Sequence, residues 1–260
     1  MKYGISILSV VPGRKEASDK AEMVTQLLFG DHYKIIDERV NWVKIRIAFD
    51  KYECWIDRKQ AFEVNKEIYE EVETSREWNS CTDLVNIIQN AKNNELQPIA
   101  MGSVLPFFKD NLITIGSENF AFEGTVVHSK EALSRSKILE NALLYINSPY
   151  LWGGKSPFGI DCSGLTQMVY KIAGKKLPRD AYQQAEIGTT LSFVEEAEDG
   201  DLAFFDNEEG SIIHVGILMN ENEIIHASGK VRIDKIDHQG IFNVDTNTYS
   251  HKLRLIKQII

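Results

Sequence analysis

Cysteine is scarce in this chain: Cys54, Cys81 and Cys162 are all there is, an odd number set far apart with no CxxC spacing. That pattern excludes a disulfide framework and a thiolate zinc site, and it points to a reducing compartment. Long apolar runs are also missing, and nothing approaches the ~18 residues that a membrane-crossing helix requires. Like charges never accumulate into a block, so the net charge of −9 forms neither a nucleic-acid patch nor a polybasic membrane anchor. A neutral or cationic small substrate suits such a surface. The one candidate targeting segment, Ile5–Val11 (ISILSVV), has a single lysine before it, is about half as long as a long secretory core, and meets no A-x-A site. It reads as a strand in a mature, unsecreted chain, and the expected location is the cytoplasm.

What is present describes a folded protein. Over 260 residues, 43% are apolar and 26% charged, enough for one large domain or two to three small ones. Residues 1–59 alternate as short β segments (ISILSVV, YKIIDE, WVKIRIA, YECWID), with a helical turn expected around Asp19–Leu28; in WVKIRIA, Val43, Ile45 and Ile47 alternate with Lys44 and Arg46. This predicts a small β-barrel, with Trp42 and Trp55 in its core. Residues 60–128 contain a polar stretch near Thr82–Ala91 with helical character, then PIAMGSVLPFF, NLITIG and AFEGTVV with turn residues between them, which predicts a second small barrel. From 129 to 260 the character changes. An amphipathic helix is expected within Lys130–Ile146, then helices at Cys162–Ala173 and Ala181–Ile187, then strands at LAFFD, IIHVGIL, EIIHAS and KLRLIKQI. Helices first and antiparallel strands after define an α+β domain.

Chemistry concentrates in this last block. Cys162 follows the turn residues of FGID and precedes an amphipathic run, so it falls in the first turn of a helix with Asp161 as N-cap. The unpaired amides and dipole of a helix start favour thiolate and lower a cysteine pKa. A buried structural cysteine is the plain alternative. Two histidines alter that balance. A hairpin centred on Asn220 sets His214 of SIIHVGILM directly opposite His226 of EIIHAS, whose Cβ atoms would then be about 4.5 to 5.5 Å apart; a one-residue slip would put them on opposite faces. Thiol, imidazole and an orienting polar group are the parts of a cysteine-protease triad.

The motifs YLWGG, FGIDCSG, HVGIL and IIHAS resemble those of the NlpC/P60 papain-like cysteine peptidases, over about Ser136 to Ile260. The blocks before them are similar to the bacterial SH3-like domains that precede this catalytic domain in the recycling members of the family, VVPGRKEASDKAEMVTQLLFGD being like their opening. The resemblance implies cleavage of the γ-D-glutamyl to diamino-acid bond (meso-diaminopimelate or Lys) of murein peptides with a free N-terminal L-Ala. It implies Cys162, His214 and His226 as triad, no cofactor or metal, and a monomer.

It further implies that the first SH3-like domain closes one end of the cleft, with Glu22 meeting the substrate ammonium and Tyr52 walling the pocket. Tyr150, Asp161, Ser163, Arg179 and Asp180 match cleft-lining positions. Asp161 or Asp180 would bind an ammonium and Arg179 a carboxylate, or Arg179 and Asp180 would simply start a helix with a salt bridge. The alternatives in function are an amidase or acyltransferase of similar Cys-His design, and a non-catalytic protein binding wall peptides.

Overall fold

The computed structural model describes residues 2–75, 77–131, 133–220 and 222–260. Met1, Arg76, Ala132 and Glu221 lie outside it, so the expectations that fall on them are left there. The chain divides into two compact units, Met1–Ala132 with Trp152–Pro157, and Leu133–Leu151 with Phe158–Ile260.

In the N-terminal unit a seven-stranded antiparallel sheet runs, edge to edge, Met23–Leu28, Val10–Arg14, Glu53–Asp57, Trp42–Ile47, His32–Glu38, Lys2–Ile5 and Glu63–Val64. It encloses Val11, Leu27, Tyr33, Ile35, Val43, Ile45, Ile47, Cys54 and Ile56, the inward half of each alternation. Four further strands order as Leu96–Ala100, Val85–Asn90, Glu118–Ala121 and Leu112–Ile115. Their core, with Ile88, Ile99, Ile113, Ile115, Phe120 and Phe122, also takes in Ile5 and Phe29 from the first sixty residues.

Three local expectations are corrected. The helical turn expected at Asp19–Leu28 is the strand Met23–Leu28, since its backbone groups pair with Val10–Arg14 and its last four side chains are buried. The stretch Thr82–Ala91 holds the strand Val85–Asn90, laddered on both sides, and the helix of this region lies earlier, at Lys66–Ser75, where the Asn65 side chain accepts from the Ile68 N–H at 2.9 Å. ISILSVV is not one strand: it breaks between Ile5 and Val10 to change partners, from His32–Glu38 to Met23–Leu28. Trp55 is buried as expected, but Trp42 is only partly so and lines a cavity of about 280 Å³ together with Arg14, Asp19, Asp57 and Lys59.

In the C-terminal unit the helices Arg135–Leu144, Cys162–Ile172 and Ala181–Gln184 come before the sheet. Every residue of Cys162–Ile172 is buried, which makes this the central helix. The sheet runs Thr189–Leu191, Thr248–Gln258, Leu202–Asp206, Ile212–Met219, Glu223–Ser228, Lys230–Asp237 and Gly240–Asn243, and the last strand pairs back onto Thr248–Gln258, closing six strands into a ring. Ala203, Phe205, Leu218, Ile224, Ile236, Ile241 and Ile256 form one apolar cluster of this sheet.

Candidate active site

The start of the central helix is held by charge as well as by capping. Asp161 Oδ1 accepts from the Gly164 N–H at 2.7 Å. Arg179, 1% exposed, donates to both Asp161 oxygens, at 3.0 and 2.6 Å, and to Ser163 Oγ at 2.9 Å. The sequence offered Asp161 or Asp180 for a substrate ammonium and Arg179 for a carboxylate, or a helix start with a salt bridge at Arg179 and Asp180. In the structure Asp161 and Arg179 form a buried bidentate pair with each other, an arrangement that fixes geometry. Gln184 braces the same turn, donating to the carbonyls of Ser163 and Pro178 and accepting from Thr166 Oγ1. Asp180 begins the short helix, its N–H donating to Gln183 Oε1 at 3.2 Å.

Cys162 sits at this helix start, 8% exposed. Its thiol is not lowered, as a helix terminus alone predicts. Burial, followed by the neighbouring Asp161 carboxylate, pushes it up to about 12, outweighing the backbone N–H groups of Val215 and Ser163 and the charge of Arg179. The Val215 amide belongs to the residue after His214, which sets the sulfur against the strand that carries the imidazole. Tyr150 is also close: burial first, then Cys162 and Asp161, raise its hydroxyl to about 12 and keep it a donor at neutral pH.

His214 Nε2 lies 2.8 Å from His226 Nδ1, and His226 Nε2 lies 3.1 Å from Asp234 Oδ2. The two strands do not meet in the expected register. Gly216 is opposite His226 and Met219 opposite Glu223, so His214 is the diagonal neighbour of His226. The pairing is shifted by two residues from the expected one, which keeps both rings on one face. Having glycine opposite His226 leaves space for the ring to lean: a Cβ on Gly216 would stand 2.6 Å from Ile224 Cδ1 and 3.0 Å from His226 Cβ.

The charges set the protons. Burial works to raise the Asp234 carboxyl, yet hydrogen bonds from His226, Arg232 and the Val244 N–H hold it at about 2. It is therefore an anion and accepts from His226 Nε2–H. With its Nε2–H given to Asp234, the His226 Nδ1 lone pair accepts from His214 Nε2–H, which leaves His214 Nδ1 as the free base. Burial, then His226 and His251, keep His214 well below its ordinary value and so neutral. His251 stacks on it with ring centroids 4.2 Å apart, and is itself held at about 4 by burial and by His226.

Sequence reasoning missed Asp234, Arg232 and His251. Alternation in VRIDKID with a turn at Gly229 would have set Asp234 on the face of His226. His251 arrives from the far end of the chain, and no local pattern marks it.

Glu22 and Tyr52 belong to the N-terminal unit. Glu22 is exposed, accepts from Trp152 Nε1–H at 2.8 Å and lies 3.4 Å from Lys15 Nζ. In the same unit Gln26 Oε1 accepts from the Lys155 N–H at 2.8 Å, and Gly153, at φ +77°, comes so near the Met23 carbonyl that a Cβ would stand 2.4 Å from it. Tyr52 packs half-buried against the barrel core. Among the described residues, no group of three or more His, Cys, Asp or Glu side chains is arranged to hold a metal ion.

A buried thiol at the start of the central helix, set against the strand that carries one imidazole oriented by a second, supplies the parts of a nucleophilic hydrolase. Residues 147–249 match the NlpC/P60 family, so this part of the chain is an NlpC/P60 domain. Residues 13–60 match the bacterial dipeptidyl-peptidase SH3 domain, so the chain joins an SH3 domain of that type to an NlpC/P60 domain. It is 28% identical over 218 residues to the gamma-D-glutamyl-L-lysine dipeptidyl-peptidase of Bacillus subtilis, covering 78% of this chain and 71% of that one. It is 27% identical over 248 residues to dipeptidyl-peptidase 6 of Lysinibacillus sphaericus, covering 84% and 86%. The crystal structure of an NlpC/P60 family protein from Bacillus cereus superposes with a TM-score of 0.83 at 20% identity over 99% of both chains, which shows the fold. No helix among the described residues is long and apolar enough to cross a membrane.

Proposed function

We propose that this chain is a cysteine peptidase that hydrolyses the γ-D-glutamyl to L-diamino acid bond of short murein peptides bearing a free N-terminal L-Ala, working as a monomer in cytoplasmic recycling of wall peptides. The observation that carries the reading is the Cys162 sulfur at the amide of Val215, the residue that follows His214, whose imidazole is hydrogen-bonded at 2.8 Å to that of His226. The relatives named as dipeptidyl-peptidases support the bond and the substrate.

Thiol and imidazole both rest uncharged, so the proton moves during attack. His214 Nδ1 takes it as Sγ bonds to the γ-carbonyl carbon of D-Glu, and the imidazolium returns it to the departing diamino-acid nitrogen. Water, giving a proton to His214, then hydrolyses the thioester, and the released sulfur is reprotonated. The Cys162 N–H at the helix start and the Tyr150 hydroxyl supply donors to the oxyanion. Ser163, with Arg179 and Asp161, holds the nucleophile's turn, and Asp180 starts the helix after Arg179. The preference for a free ammonium rests on the Glu22 carboxylate, which Trp152 orients, with Tyr52 as a wall.

Mass spectrometry of L-Ala-γ-D-Glu-diaminopimelate and its L-Lys counterpart, each free and N-acetylated, tests this with wild type and Cys162→Ala. The expected result is release of L-Ala-D-Glu from the free peptides by wild type only. Equal cleavage of acetylated peptide removes the role of Glu22. No cleavage by wild type favours an amidase or a binding protein.

A further inference from the structure

We infer that Asp234 is a positioning residue of this centre, a buried anion that fixes the tautomers of His226 and His214 and carries the positive charge that appears on His214 when it takes the thiol proton. The inference rests on the peptidase reading and extends it past the second histidine.

Asp234 is 1% exposed and splits its two oxygens between two tasks. Oδ2 accepts from His226 at 3.1 Å and lies 2.7 Å from Arg232 Nε, while Oδ1 accepts from Arg232 Nη2 at 2.8 Å and from the Val244 N–H at 3.2 Å. Arg232 is shared outward with Asp245 at 2.8 Å, so the carboxylate faces one guanidinium, one amide and one imidazole. Lys230–Asp237 pairs with Glu223–Ser228 through Arg232 opposite His226 and Asp234 opposite Ile224, which makes Asp234 the diagonal neighbour of His226, as His226 is of His214. The same two-residue offset thus repeats across three consecutive strands and forms one line, His214, His226, Asp234. When His214 Nδ1 is protonated, its Nε2–H donates more strongly to His226, and the charge is met by the fixed carboxylate with no further proton moving.

The uneven count of donors at the two oxygens makes the test sharp. In Asp234→Asn, two donors, Arg232 Nη2 and the Val244 N–H, meet the Oδ1 position against one guanidinium nitrogen, Nε, at Oδ2, so the amide oxygen stays at Oδ1 and the NH2 turns toward His226 Nε2. His226 must then carry its proton on Nδ1 and donate to His214 Nε2, which places the His214 proton on Nδ1 and removes the base. With 15N-histidine-labelled full chain, long-range 1H–15N spectra should show protonated Nε2 at both rings in wild type and protonated Nδ1 at both in the variant. Turnover of L-Ala-γ-D-Glu-L-Lys should fall by at least about a hundredfold in kcat while KM holds, because Asp234 acts through His226.

Wild-type His214 protonated on Nδ1 would overturn the proposal, and that spectrum needs no variant to fold. So would Asp234→Asn with unchanged tautomers and kcat within about threefold of wild type. A wild type that cleaves none of the peptides, like Cys162→Ala, brings down the peptidase reading instead, and the wild-type spectrum still decides the tautomers.

Discussion

At neutral pH the Cys162 thiol, pushed up to about 12, and the His214 imidazole, pushed well below 6.5, are both uncharged. Burial dominates each shift and acts in opposite directions, because it disfavours whichever form carries charge. The thiolate fraction of Cys162 therefore rises only with alkalinity. Its alkylation by iodoacetamide, read by mass spectrometry of the labelled peptide, is expected to climb steadily from about pH 7 to 10. A rate already at its plateau near pH 5 would mean a pre-formed ion pair and sink the neutral assignment. Cys81 is also raised to about 12, and both Cys54 and Cys81 are buried, so they are expected to label more slowly. The helix start at Cys162 and the meeting of His214 with His226 were legible in the sequence because each residue sits in a short motif whose local structure follows from its own residues. The direction of the thiol shift was not legible, since it depends on how tightly the whole helix is enclosed.

Register decides the site at the scale of elements. Placing both histidines on one strand pair was within reach of the sequence. The two-residue offset was not, because a turn's centre depends on backbone conformation that composition does not specify. The helix Cys162–Ile172 was readable from its capping aspartate and apolar spacing, whereas Met23–Leu28 and Val85–Asn90 escaped because their strand pairing comes from distant segments. Gly216 links register to chemistry. Gly216→Ala adds a Cβ that Ile224 and His226 must move to admit. A displacement of the order of 1 Å in the orienting ring is expected to lower kcat about a hundredfold, with circular dichroism unchanged. Full activity with that extra methyl would show that the ring has room the structure does not give it.

For the whole molecule, the resemblance marked an SH3 domain ahead of an NlpC/P60 domain, and the matches at 13–60 and 147–249 agree with it. The sequence did not reveal that Trp152–Pro157 packs with the N-terminal unit, for nothing in TrpGlyGlyLysSerPro states which neighbour it serves. Because Lys155 N–H is held by Gln26 Oε1, Gln26→Ala in the full chain is expected to speed hydrogen exchange at Lys155 by at least about tenfold, while amides of Cys162–Ile172 stay protected. Equal loss of protection in both segments would show that the two units open together. The interrupted unit also constrains how such genes can recombine. A single crossover near residue 132 would take Glu22 and Gln26 from one parent and the indole and amide they hold from the other. A chimera that keeps its N-terminal unit whole must therefore transplant residues 152–157 together with the first 132, as two separate inserts from one donor.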